Sequence, residues 1–132
     1  MYEYHGWIRI LYHPHDTNSE LQVACFWSVK FLADEYYFPF INFFEDNGMY
    51  SCHFSGQHNH KSHEVLEFFE KVGERAAGSY GVLNIRDDED PLYQNKMQKF
   101  LLKKGKFYSS IETELSPCSP VIEDPYDPSR ND

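Results

Sequence analysis

Four histidines, His53, His58, His60 and His63, fall in one short stretch of the chain. Neutral imidazole is the commonest protein ligand for transition metals, so a metal centre is the first chemistry to consider here. His58, His60 and His63 would be its ligands, and the implied activity would be metal-dependent hydrolysis. Against this, the stretch holds no HExxH, its only neighbouring thiol is Cys52, and its residues fall mostly on a predicted loop. A metal site needs fixed ligands and partners behind them. The favoured reading is a solvated polar loop. His5, His13 and His15 are read in the same way, as surface or half-buried imidazoles.

Nucleophilic chemistry finds less support. No GxSxG elbow occurs, and such an elbow is what exposes a serine at the top of a sheet. Cys25 falls mid-helix among apolar residues and Cys52 in a strand, where a thiol is ordinarily inert packing. Cys118 lies between prolines near the end of the chain, away from any rigid scaffold. Phosphate cradles of the GxxxxGK[ST] or GxGxxG kind are missing, and no cofactor is assigned. Paired carboxylates remain. Asp87, Asp88, Glu89 and Asp90 follow directly on a strand, without EF-hand spacing. Such carboxylates could bind a divalent cation or act as acid and base, but a solvated charged loop is the favoured reading, followed by a partner-recognition surface that extends to Glu123 and Asp124.

Charge bears on the choice. The 132 residues carry 12 Lys and Arg against 21 Asp and Glu, a formal net charge of -9. That balance argues against a general nucleic-acid binder, which needs a basic footprint. It would speed encounter with a basic partner. The charge is also segregated, with Lys96, Lys99, Lys103, Lys104 and Lys106 gathered between the carboxylate run and an acidic end. Three cysteines cannot all pair within the chain, the start is not signal-like, and no apolar run approaches the ~20 residues of a membrane span. A reduced, cytoplasmic protein is expected, either monomer or homodimer.

The elements that must position these groups follow from periodicity. Residues 2–12 read as a strand with large apolar groups on both faces, hence central and partly covered on both sides. Residues 18–35 read as a helix, with a stripe of Leu21, Ala24, Cys25, Ser28, Phe31 and Leu32, broadened by Phe26, Trp27 and Val29. Residues 37–44 and 49–55 flank Asn47-Gly48, a strong hairpin signal. Residues 56–60 read as a polar loop. A second helix runs over 62–77 on Val65, Leu66, Phe69, Val72 and Ala76, with Gly78 as its cap. Gly73, Gly78 and Gly81 are assigned to turn geometry. Residues 80–86 form another strand, and 96–112 a last hairpin, with a short helix over 94–103 as the alternative.

The order β-α-β-β-α-β plus a hairpin implies an α+β domain of ferredoxin-like, split βαβ arrangement. Its sheet is antiparallel and its helices share one face. Residues 1–114 make the domain, and 115–132 an extended, acidic, Pro-rich tail. Two helices on one face leave the other sheet face free, so its aromatics need cover from the tail, a second chain or a partner. A ligand-binding or self-associating module of this fold is a further alternative.

Two stretches carry a family likeness. Tyr4-His5-Gly6-Trp7-Ile8 at the start, and Leu115-Ser116-Pro117-Cys118-Ser119-Pro120 with Ile122-Glu123-Asp124 at the end, resemble the bacterial immunity proteins of family seven of the polymorphic toxin systems. The resemblance implies a protein that is not an enzyme and that binds a cognate toxin domain, protecting the cell that makes the toxin. It carries over no catalytic residue and does not specify the toxin's chemistry. A nuclease toxin, with a basic substrate groove, is one that carboxylates could cover by phosphate mimicry.

Overall fold

The alternation of the first strand sets the layering. β1 (Tyr2–Arg9) buries Tyr2, Tyr4 and Ile8, while Glu3, His5, Trp7 and Arg9 point the other way. This is the period-two pattern of a strand with one face on a core. The computed structural model describes residues 1–119 and Ser129. β1 is central, as its apolar content predicts, but among the described residues only one side is packed. Trp7 remains 41% exposed.

α1 (Ser19–Ala33) starts at Asn18, whose side-chain oxygen accepts from the Leu21 N–H at 3.0 Å. Such a cap satisfies one of the orphan donors of the first turn. The buried face is Phe26, Val29, Leu32 and Ala33, rotated from the stripe read by spacing; Leu21 and Phe31 are exposed. The helix is apolar nearly all round, so periodicity could not select a face. The sheet selects it instead, through the Phe26 ring against Tyr50 at 4.8 Å and Phe43 at 6.0 Å.

β2 (Phe40–Asp46) and β3 (Met49–His58) turn at Asn47 and Gly48, with φ of 53° and 78°. Two successive positive φ values are what a tight hairpin of this handedness requires. β3 continues through Gly56–His58, which read as loop from composition. Its pairing with β1, from Arg9↔Ser51 to Tyr2↔His58, overrides that polarity.

α2 (His63–Arg75) buries Val65, Phe68, Phe69 and Val72, and its cap residue is Ala76, before Gly78. Gly73, Gly78 and Gly81 have no positive φ. They serve close approach: a Cβ would run into the Gly105 carbonyl from Gly73, the His13 carbonyl from Gly78 and the Trp7 carbonyl from Gly81. β4 (Tyr80–Asp87) follows. β5 (Met97–Lys103) and β6 (Lys106–Glu112) form the last hairpin, with Lys104 and Gly105 at φ 51° and 71° in its turn.

Among the described residues, six strands make one sheet in the order β2-β3-β1-β4-β5-β6, every neighbouring pair antiparallel. The architecture is α+β. Both helices lie on the same face. Phe68 of α2 meets Phe54 at 5.5 Å and Phe38 at 5.0 Å, and Phe26 of α1 packs on Tyr50, two residues along β3 from Cys52 on that side. Among the described residues, no helix lies over the opposite face.

Candidate partner-binding surface

The carboxylate run begins on the last residue of β4, Asp87, and continues into a loop whose acids cap its own backbone. Asp87 Oδ1 accepts from the Glu89 N–H at 3.2 Å, and the Asp87 carbonyl from the Asp90 N–H at 3.3 Å. Asp90 Oδ1 accepts from the Leu92 N–H at 2.9 Å, beside Pro91. Asp and Asn favour such local bonds in turns. Asp87 is only 5% exposed, so its carboxylate serves the loop. Asp88 and Glu89 are exposed and Asp90 half-buried. Asp88 takes the Met1 ammonium at 2.6 Å, with Glu89 at 3.7 Å. The Asp88 carboxylate is the main cause of the raised pKa of that ammonium.

The loop also captures one histidine. His60 Nδ1 lies 2.8 Å from Glu89 Oε1. The others go elsewhere. His58 stacks on the Tyr4 ring at 5.5 Å, His53 stands edge-on to Phe44 at 5.0 Å, and His63 is the exposed first residue of α2. The proposed ligands His58, His60 and His63 are therefore not brought to one point. Among the described residues, no group of three or more His, Cys, Asp or Glu could hold a metal ion. His13 is used locally, its Nδ1 accepting from the His15 and Asp16 N–H groups, and His5 lies 3.0 Å from Glu3.

Cys52 is fully buried and Cys25 half-buried, and burial pushes both thiols up. The chain near Cys118 is stapled to the loop before β5. The Cys118 N–H donates to the Asn95 carbonyl at 3.1 Å, and the Asn95 side chain pairs with the Ser119 backbone at 2.7 and 3.1 Å. Glu123 and Asp124 lie outside the described residues.

The helix-free face carries Trp7, Tyr80 and Arg9 together. The Trp7 and Tyr80 rings meet edge to face at 6.0 Å, and Arg9 Nη1 donates to the Tyr80 hydroxyl at 3.4 Å. Strand parity was the available signal: Trp7 and Arg9 alternate with buried Ile8.

The family model described as Immunity protein 7 matches residues 1–124 of the chain. No curated protein and no solved structure matches. No described helix is long and apolar enough to cross a membrane.

Proposed function

The chain belongs to the immunity protein 7 family, and from that premise we propose that it binds a cognate toxin domain and neutralises it by stoichiometric contact, without catalysis, in the cytoplasm of the cell that makes the toxin. The family match over nearly the whole chain carries this reading. The family implies protection against a toxin, so the partner is a protein.

The exposed acids of the β4–β5 loop, Asp88 and Glu89, support a surface for that partner, with half-buried Asp90 adding charge at its edge and buried Asp87 holding the loop in shape. The acidic stretch with Glu123 and Asp124 is proposed to extend it. A nuclease is the toxin class whose basic groove such carboxylates fit. The order β2-β3-β1-β4 around β1 supports a ferredoxin-like core carrying an added hairpin, with residues 115–132 as its tail.

Growth under co-expression tests the reading. The C-terminal domain encoded beside this chain should arrest growth when produced alone, and co-production of this chain should restore it. Arrest that persists at high levels of the chain would refute it.

A further inference from the structure

The helix-free sheet face has a charge order along its strands. By register, Arg9, Tyr80, Lys103 and Lys106 lie in one row across β1, β4, β5 and β6. Trp7, Val82, Leu101 and Tyr108 fill the next row. Toward the other end come Asn84 and Lys99, the latter paired with Glu112 at 3.4 Å, then Glu3 facing Arg86, whose Nη2 donates to Ser119 Oγ at 2.9 Å, and beyond them begins the loop with Asp88 and Glu89. The face thus runs from a basic end, through an aromatic and aliphatic middle and a zone of paired charges, to the exposed acids of the loop. The chain as a whole carries -9, so a lysine- and arginine-bearing row beside exposed rings is a local departure from the bulk charge.

Trp, Tyr and Arg are the residue types that dominate binding energy at the centre of protein interfaces. Here they touch one another at the middle strands of the sheet, with Trp7 and Tyr80 each 41% and Tyr108 49% exposed. The two arginines of this face are held by the chain itself, Arg9 through Tyr80 and Arg86 through Ser119. Three inter-strand gaps of about 4.8 Å and three two-residue steps of about 6.7 Å give β1, β4, β5 and β6 a footprint on the order of 300 Å², and the whole six-stranded face on the order of 500 Å². A stable complex buries roughly 800 Å² per partner, so the face would serve together with the acidic loop at its rim.

α1 offers the competing patch, with exposed Trp27 and Phe31 in ring contact at 6.2 Å. It is a single helical ridge, and the Lys30 ammonium already covers Trp27 at 4.7 Å from the ring centroid.

We infer that the toxin domain docks on the helix-free sheet face, with an apolar patch against Trp7, Val82 and Leu101, carboxylates toward Arg9, Lys103 and Lys106, and basic groups toward Asp88 and Glu89. This rests on the toxin-binding reading and assigns it a surface and an orientation. The acidic loop becomes one end of the interface.

The test is binding of the full chain to the C-terminal domain encoded beside it. Trp7→Ala should weaken affinity about 30-fold or more, the scale of a hot-spot residue, and Trp27→Ala should leave it unchanged. Lys103→Glu with Lys106→Glu, both at exposed positions, should weaken it without touching the core. In a Trp27→Phe background, Trp7 fluorescence should be open to acrylamide in the free chain and shielded by the added domain. Wild-type affinity in both the Trp7 and the lysine variants, alongside tight binding by the parent, would overturn the surface and leave the toxin reading standing. Shielding of Trp7 in the free chain would place the chain's own C-terminal segment or a second copy on the face, and would also overturn it. No binding and no growth rescue by the parent would overturn the toxin reading and the surface with it.

Discussion

Gly6 is the position at which a single methyl group should do most damage for its size. It lies on the core side of β1 between Tyr4 and Ile8, directly opposite Phe54 of β3. The Phe54 ring occupies the space that a side chain at position 6 would need, and a Cβ there would come within 2.8 Å of both Cε1 and Cε2. That is well inside the 3.4–4 Å of ordinary contact. The ring cannot retreat freely, because Phe38 and Phe68 each stand 5.5 Å from it and Tyr4 and Phe69 each 6.4 Å. Overpacking a dense core costs about 1–3 kcal/mol. Removing glycine's excess backbone freedom from a strand returns roughly 0.5–1 kcal/mol. Gly6→Ala should therefore destabilise the fold by about 1–2 kcal/mol net, read as a lower midpoint in urea at unchanged slope. In a Phe54→Leu background the same change should cost at least ~1 kcal/mol less, a coupling of the size expected for residues in contact. A Gly6→Ala protein as stable as its parent, or additive with Phe54→Leu, would refute the reasoning.

Other consequences follow from the same packing and charge. Asp88→Lys with Glu89→Lys should slow association with the toxin domain about 10-fold at low salt and flatten its salt dependence, as expected for steering charges; stopped-flow rates unchanged by the pair would count against the acidic end of the interface. Thiol labelling with a disulfide reagent should modify Cys118 first, Cys25 more slowly and Cys52 only on unfolding, since burial holds both of the latter as thiols. Labelling of Cys52 in the folded protein would contradict its placement. Burial pushes the Tyr4 phenol up to about 12 and raises Tyr2 as well. Their contribution is thus fully present below the ordinary tyrosine pKa of about 10 and is lost as pH rises toward 12. At about 1.4 kcal/mol per unit, Tyr4 alone accounts for roughly 3 kcal/mol at the limit, visible as a falling urea midpoint above pH 10. A midpoint that stays flat to pH 12 would remove both phenols from the core.

The parts of the fold that local chemistry determines could be read from the residues. Asn47-Gly48 and Lys104-Gly105 mark hairpins because their backbone needs positive φ, and Asn18 can cap α1 because its side chain reaches Leu21. Tertiary choices could not be read in that way. Nothing in the near-uniform apolar surface of α1 says that Phe26 goes in and Phe31 stays out; the rings of Tyr50 and Phe43 decide it. The glycines near α2 looked like turn residues, but they permit contact with backbone from distant segments that no spacing reveals. The same holds for the site. The acidic loop was visible as a run of carboxylates, yet Asp87 points inward because β4 extends one residue further than its apolar run, which puts Asp87 on the buried parity of Leu83 and Ile85, opposite Tyr2. The histidines were close in sequence and diverge in space because His58 lies in β3 and stacks on Tyr4. The Trp7–Arg9–Tyr80 cluster was implied by alternation in β1, but its third member arrives only with the β1–β4 register.

Titration calorimetry of the purified chain against the toxic C-terminal domain encoded beside it tests the central claim most directly. A saturable one-to-one complex, formed by the parent and weakened about 30-fold or more by Trp7→Ala, is the predicted result. Absence of heat and of any co-migrating complex, with a domain that is folded and toxic, would contradict it.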